Sequence, residues 1–309
     1  MLSECKLKFE KDARRGNMMK VVVGPSSKDL AEKVADLSGF GKVPVSSKVF
    51  PDGESYVRLE GSVKDEHVAI VQTICKPQDT NLIRLAFMAN AAKRNCAKKV
   101  TAIVPYLAYA RQDKMFLEGE NVSIETVAAM LQAAGIDELV TVNIHAENAL
   151  SKLPFPAKTV TAIPLLAEYF VEKGFKGAFA LAPDKGARYI AEQAKTVLRG
   201  ESGNLEKQRD RYTGQTTQSA THLDVKGKVC VIFDDIISTG GTIVGAAKIL
   251  KEQGATRVFT ACVHGLLIGD AEKRITDAGV EEIVSTDSVP GKTSKVSLAP
   301  LLSEALKAL

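Results

Sequence analysis

The chain is predicted to be an α/β protein of two related domains, each a mostly parallel sheet flanked by helices. Three observations predict this. At 309 residues the chain exceeds one ordinary core. Strand-like apolar runs alternate with helical patterns along its whole length. And Ala134-Gly-Ile-Asp-Glu-Leu-Val-Thr-Val-Asn143, after a helical run, is echoed by Ala278-Gly-Val-Glu-Glu-Ile-Val-Ser-Thr-Asp287 after another.

In order, the first strand-like run is Val21 to Val23, with Arg14-Arg-Gly-Asn-Met-Met19 just before it. Residues 1–18 show neither apolar periodicity nor a motif and are expected to form a poorly ordered extension, with Met18 or Met19 as a possible natural start. Val43 to Val49 and Tyr56 to Leu59 flank a Pro51–Gly53 turn. Buried strands are expected at Val68–Ile74, Val100–Pro105 and Leu139–His145. Lys152-Leu-Pro-Phe-Pro156, with two prolines, marks the junction, so the domains are expected at 19–155 and 156–309. Strands follow at Ala178–Ala182, Val229–Phe233, Val258–Val263 and Glu282–Thr286, and Leu298 to Leu309 reads as a helix with one apolar face. Between them, residues 199–214 are polar and contain three glycines, the composition of a mobile loop.

Hydrophobic content of 45% and charged content of 25% are those of a globular protein rather than a disordered one. A net charge of +4 is too mild to call for nucleic acid, and neither a basic run nor an aromatic ladder supports that partner. A small anionic substrate accounts for it. Cys5, Cys75, Cys96, Cys230 and Cys262 include no Cys-x-x-Cys pair, which argues against zinc and reads as core filler in a reducing compartment. No apolar stretch is long enough for a membrane, and the first ten residues hold no signal core, so a cytoplasmic location is expected.

The most informative stretch is Val229-Cys-Val-Ile-Phe-Asp-Asp-Ile-Ile-Ser-Thr-Gly-Gly-Thr242. Read alone, it ends a buried strand on Asp234 and Asp235 and then opens a helix through Ser238, Thr239, Gly240, Gly241 and Thr242. Ligands in such folds bind past the carboxyl end of a strand, where glycines let backbone N–H groups approach and the helix N-terminus favours an anion. A phosphate fits the turn. The two carboxylates would repel it, so they suit the neutral vicinal hydroxyls of a ribose whose phosphate lies in the turn. Simple helix capping needs one such residue, not two carboxylates and three hydroxyls. No Gly-x-x-x-x-Gly-Lys-Ser/Thr segment is present, so any ATP use is not of the P-loop kind.

Asp234 to Thr242 resembles the phosphoribosyl-diphosphate loop shared by type I phosphoribosyltransferases and ribose-phosphate pyrophosphokinases. The loop alone does not separate the two. Further motifs, matched in order from about Val21 onward, resemble the pyrophosphokinase family, and this implies two type I phosphoribosyltransferase-like domains. Phe50-Pro-Asp-Gly-Glu54 is similar to that family's adenine loop: Phe50 would stack on adenine, and Asp52 and Glu54 would meet its amino edge. In the family this loop enters a neighbouring subunit's site, which implies a homodimer at least. Arg111-Gln-Asp-Lys114 resembles the segment whose arginine packs against adenine, implying ATP contacts for Arg111, Gln112 and Lys114. His145 and Asp184 match the magnesium site, with Asn143 standing where many members carry an acidic residue. Lys207 and Arg209 match the Lys-x-Arg of the catalytic loop. The resemblance thus implies Mg²⁺-dependent transfer of diphosphate from ATP to the anomeric hydroxyl of ribose 5-phosphate, giving 5-phosphoribosyl 1-diphosphate and AMP. The readings against it are a phosphoribosyltransferase and a non-catalytic regulatory relative of the synthetase.

Overall fold

The computed structural model describes residues 19–209, 216–219 and 223–309. The first part of the chain forms β1 (Lys20–Val23), α1 (Lys28–Ser38), β2 (Gly41–Val43), β3 (Val45–Val49), β4 (Ser55–Leu59), β5 (His67–Val71), α2 (Gln78–Arg94), β6 (Lys99–Val104), α3 (Ser123–Ala134), β7 (Glu138–Val142) and β8 (Ala157–Val160). Six of these strands make one sheet in the order β2-β1-β5-β6-β7-β8. β1 pairs in parallel with β2 and β5, β5 with β6, and β6 with β7. Val68, Ala69, Ile70 and Val71 are all fully buried, as a strand covered on both faces requires. In α1, Leu30, Ala31, Val34 and Ala35 form the buried stripe, and the helix stops at Gly39, whose left-handed backbone lets its N–H reach the carbonyls of Ala35 and Asp36.

The second part forms α4 (Ile163–Glu172), β9 (Phe179–Ala182), α5 (Arg188–Leu198), β10 (Ser202–Asn204), β11 (Glu206–Arg209), β12 (Thr216–Ser219), β13 (Val229–Ile237), α6 (Gly241–Glu252), β14 (Arg257–Gly265), α7 (Ala271–Asp277), β15 (Ile283–Thr286), β16 (Ser294–Val296) and α8 (Ala299–Lys307). Its sheet order, β10-β9-β13-β14-β15-β16, repeats that of the first sheet position by position. The two echoed sequence segments contain β7 and β15, each fifth in its own sheet. The core of this part packs the buried stripe of α6, Ile243, Ala247 and Leu250, with Ile232 of β13 and Ile275 of α7.

The chain divides into two compact units, but not by one cut near residue 155. One unit comprises the residues up to Thr141, Asn148–Lys158 and Ala299–Leu309; the other comprises Val142–Glu147 and Thr159–Leu298. The last helix therefore belongs with the first unit. There α8 packs on α1, burying Leu302 and Leu306, and Lys307 Nζ donates to the Leu37 carbonyl at 2.9 Å.

Three expectations need correction. β13 does not stop at Phe233 but runs through both aspartates to Ile237, because β14 continues alongside it and pairs Asp234 with Cys262 and Ile236 with His264. Within 199–214, β10 and β11 are strands rather than loop: β10 pairs in parallel with β9, β11 is antiparallel to β12, and Leu205 between them is fully buried. Of the cysteines, Cys230 and Cys262 are core residues, whereas Cys75 is half-buried and Cys96 exposed. Residues 1–18, which include Cys5, and 210–214 lie outside the described residues. Among the described residues no helix is long and apolar enough to cross a membrane.

Candidate active site

In the second unit the carboxylates sit on the last turn of β13 before the helix. Asp235 Oδ1 accepts the Ile236 N–H at 2.7 Å, Asp234 Oδ1 accepts the Asp235 N–H at 2.9 Å, and Asp235 Oδ2 lies 2.7 Å from His145 Nδ1. That last contact joins residues ninety positions apart. Burial pushes the Asp234 carboxyl well above the usual carboxylate range, and the neighbouring Asp235 charge and the more distant Asp184 add to it. For Asp235, burial pushes upward as well, but the hydrogen bond and charge of His145 bring the net effect below the ordinary value. The pair is thus split into one carboxyl that favours its proton and one that favours its charge.

Past Ile237 the chain turns through Ser238 and Thr239 to Gly240, whose φ of +78° suits glycine, and α6 begins at Gly241. A Cβ on Gly240 would lie 2.9 Å from Ile275 Cδ1, so the position is closed to side chains twice over. Helix α6 has neither a side-chain cap nor an acidic residue in its first turn. Its leading N–H groups are left for an anion, with the Thr242 hydroxyl in the same turn.

Asp184 follows β9 in the turn before α5, where its Oδ1 accepts the Ala187 N–H at 3.2 Å and the other oxygen remains. A Cβ on Gly186 would come within 3.2 Å of that same Oδ1. The adjoining Lys185 pairs with Glu206 at 2.9 Å, tying this turn to the start of β11. Lys207 and Arg209 are strand residues, paired in register with Gln218 and Thr216; Arg211 lies outside the described residues. Among the described residues no three His, Cys, Asp or Glu side chains gather as a metal cage.

Sequence reasoning missed Tyr189. The side chain is 47% exposed, and partial desolvation followed by the charges of Asp235, Glu147 and Asp234 pushes its pKa up to about 12, so it stays a neutral hydroxyl donor. No motif marks it; only the packing of α5 brings it there.

The remaining candidates belong to the first unit. Phe50-Pro-Asp-Gly-Glu54 is the tip of the β3–β4 hairpin, closed by Gly53 N–H to Phe50 O at 2.9 Å and Phe50 N–H to Glu54 O at 2.8 Å. Gly53 has φ of +95°, and Asp52 Oδ1 accepts the Glu54 N–H at 3.1 Å. The Phe50 ring is 37% exposed, stands edge-on to Tyr56, and carries Lys48 Nζ 4.6 Å from its centroid. In the other segment Tyr109 takes a left-handed backbone and donates its hydroxyl to Asp79, leaving Arg111 exposed. Gln112 Nε2 donates to Glu120 at 3.2 Å, and the same carboxylate accepts the N–H groups of Phe116 and Leu117 at 2.8 and 2.9 Å. The Gln112 amide therefore braces its own loop, while Lys114 lies exposed with Nζ 5.2 Å from the Phe116 ring centroid.

Comparison with known proteins bears on the chain as a whole. Residues 19–135 match the family model described as the N-terminal domain of ribose phosphate pyrophosphokinase, and residues 217–305 match that of the phosphoribosyl synthetase-associated domain. The ribose-phosphate pyrophosphokinase of Methanobrevibacter smithii is 41% identical over 297 residues, covering 93% of this chain and 99% of its own. That of Methanothermobacter thermautotrophicus is 43% identical over 289 residues, covering 93% and 100%. Among solved structures, phosphoribosylpyrophosphate synthetase from Mycobacterium smegmatis superposes with a TM-score of 0.83 at 31% identity, covering 95% of this chain and 98% of its own.

Proposed function

The chain belongs to the ribose-phosphate pyrophosphokinase family, and we propose from that premise how its residues divide the reaction. It is an enzyme that makes 5-phosphoribosyl 1-diphosphate and AMP from ATP and ribose 5-phosphate. One observation carries the assignment of the sugar: the uncapped, acid-free start of α6, one turn beyond Asp234 and Asp235. Ser238, Thr239, Gly240, Gly241 and Thr242 hold the 5-phosphate there, and the aspartates accept the ribose hydroxyls. Phe50 offers its ring to adenine, Asp52 and Glu54 their carboxylates to the amino edge, and Arg111, Gln112 and Lys114 contact the rest of ATP. The anomeric oxygen attacks the β-phosphorus in line and AMP leaves, so no protein nucleophile is needed. Lys207 and Arg209 meet the charge that grows on the transferred group.

The family's chemistry calls for a divalent metal, and our reading is Mg²⁺. His145, whose Nδ1 meets Asp235, and Asp184, whose Oδ1 accepts the Ala187 N–H, would hold it. Mg²⁺ is usually held by one or two carboxylates plus substrate phosphates, so this sparse set fits an ion that arrives with ATP. Such an ion would neutralise phosphate oxygens and withdraw charge from the β-phosphorus. Asp235 orients the His145 ring through Nδ1.

The reaction is tested by incubating the purified chain with ATP, Mg²⁺ and ribose 5-phosphate. AMP should rise in step with the sugar diphosphate and only with a divalent cation, whereas ADP would move the chain to an ordinary kinase class. Membership of this family also speaks against a phosphoribosyltransferase, and retention of His145, Lys207, Arg209 and both aspartates against a non-catalytic relative. For the assembly, a homodimer at least, we expect Phe50→Ala to weaken ATP binding roughly fivefold, from about 1 kcal/mol of lost stacking, with ribose 5-phosphate little affected. Mixing Phe50→Ala chains with Asp235→Ala chains should then restore part of the activity. Verified mixed dimers that stay inactive would remove the shared site.

A further inference from the structure

The segment that delivers His145 is held from both sides by buried side chains outside the machinery assigned above. Asn143 is 5% exposed and has φ of +36°, a conformation that asparagine tolerates better than other side chains with a Cβ. Its Oδ1 accepts the Ala162 N–H at 2.7 Å, and its Nδ2 donates to Thr161 Oγ1 at 3.4 Å, which in turn donates to Gln193 at 2.8 Å. Its own N–H donates to the Val160 carbonyl at 3.0 Å. On the other side His264, 2% exposed, brings Nε2 to 3.0 Å from the Val142 carbonyl. A carbonyl only accepts, so that nitrogen carries a proton. The backbone of His264 is paired with Ile236, the residue next to Asp235. The imidazole thus reaches from β14, the strand paired with that of Asp235, to the residue three before His145, and Asn143 fastens the turn in between.

We propose that Asn143, assisted by His264, is a positioning residue that presents His145 to Asp235. Its bearing on catalysis rests on the site assignment made above. The amide does two separable things. It supplies an acceptor to a buried N–H, and it tolerates the turn's positive φ.

Three variants separate these. Asn143→Gly keeps the backbone freedom and removes the acceptor; Asn143→Asp keeps both; Asp235→Asn breaks the contact at its far end. The side-chain ¹⁵N resonances of His145, assigned by their loss in His145→Gln and read at one fixed pH in the full chain without metal, report the contact directly. In Asn143→Gly they should move toward their positions in Asp235→Asn, and kcat should fall about 10 to 100-fold while the KM for ATP changes less than about twofold. In Asn143→Asp both should stay close to wild type. Unmoved His145 resonances in Asn143→Gly, or moved resonances with an unchanged kcat, would overturn the proposal, as would a folded Asn143→Asp whose His145 resonances move; that last variant decides the matter alone if the glycine variant does not fold. A wild-type chain that forms no sugar diphosphate would sink the functional reading instead, leaving the resonances to judge the positioning.

Discussion

Lys207→Ala should lower kcat at least about 10²-fold while changing the Michaelis constants far less, because cations that meet transferring phosphoryl groups contribute about 10³ to 10⁵ in rate elsewhere. Arg209→Ala should behave similarly, the two cations compensating only partly. Both residues keep their backbone partners Gln218 and Thr216 when truncated, so the melting temperature should barely move. Arg211 lies outside the matched Lys-x-Arg pair and serves as the control, its alanine variant retaining most activity. Steady-state kinetics on the three variants decide it. Equal, modest losses at all three positions would indicate a diffuse electrostatic funnel and end the specific roles of Lys207 and Arg209.

Asp234→Asn should make the metal-free protein more stable and nearly inactive. The Asp234 carboxyl is buried beside a second carboxylate, and its pKa in the folded chain lies well above the unfolded value of 3.8. The folded state therefore holds a proton that the unfolded state releases. The stability this group contributes is fully present below the unfolded pKa and is lost as pH rises through the folded one. Asparagine has no proton to lose. The gap in melting temperature between variant and wild type should be near zero at acid pH and widen upward from about pH 4, by about 2–4 °C for each kcal/mol relieved. The KM for ribose 5-phosphate should rise at least about tenfold, because the amide puts a donor where one carboxyl oxygen would accept a sugar hydroxyl. A variant that melts lower than wild type at neutral pH would show that the carboxylate is stabilising in place, contrary to its surroundings.

Much of this was legible because buried parallel strands are apolar almost throughout. Val68 to Val71, Val100 to Val104 and Val229 to Phe233 declare themselves by composition, and the glycines and hydroxyls after β13 declare the turn. What escaped was fixed by partners distant in sequence. Asp234 and Asp235 look like the end of a strand, yet the pairing with β14 carries β13 past them. Residues 202–209 are polar and glycine-bearing, and they become strands through the edge of β9 and through β12, with Leu205 as a fully buried anchor. The His145–Asp235 contact and the approach of Tyr189 have no local signature, since each depends on where two separately predicted elements are brought by the sheet. The second-position acid absent at Asn143 was visible as a departure, but the bond to Ala162 that gives it another task was not.

The membership of α8 in the first unit bears on how the chain is made. On the ribosome, the strands and helices that will form that unit emerge first, but Ala299–Leu309 is about 140 residues behind Lys158. At roughly 5–20 residues per second, those strands wait about 7 to 28 s for their last helix. Throughout that interval the face of α1 that α8 covers has no native partner, and Leu302 and Leu306 are still to come. The unit whose strands are made first is thus completed only after the residues of the other unit have been made. A nascent chain stalled before residue 299 should be digested in this unit by added protease at a rate that falls once the final eleven residues are restored.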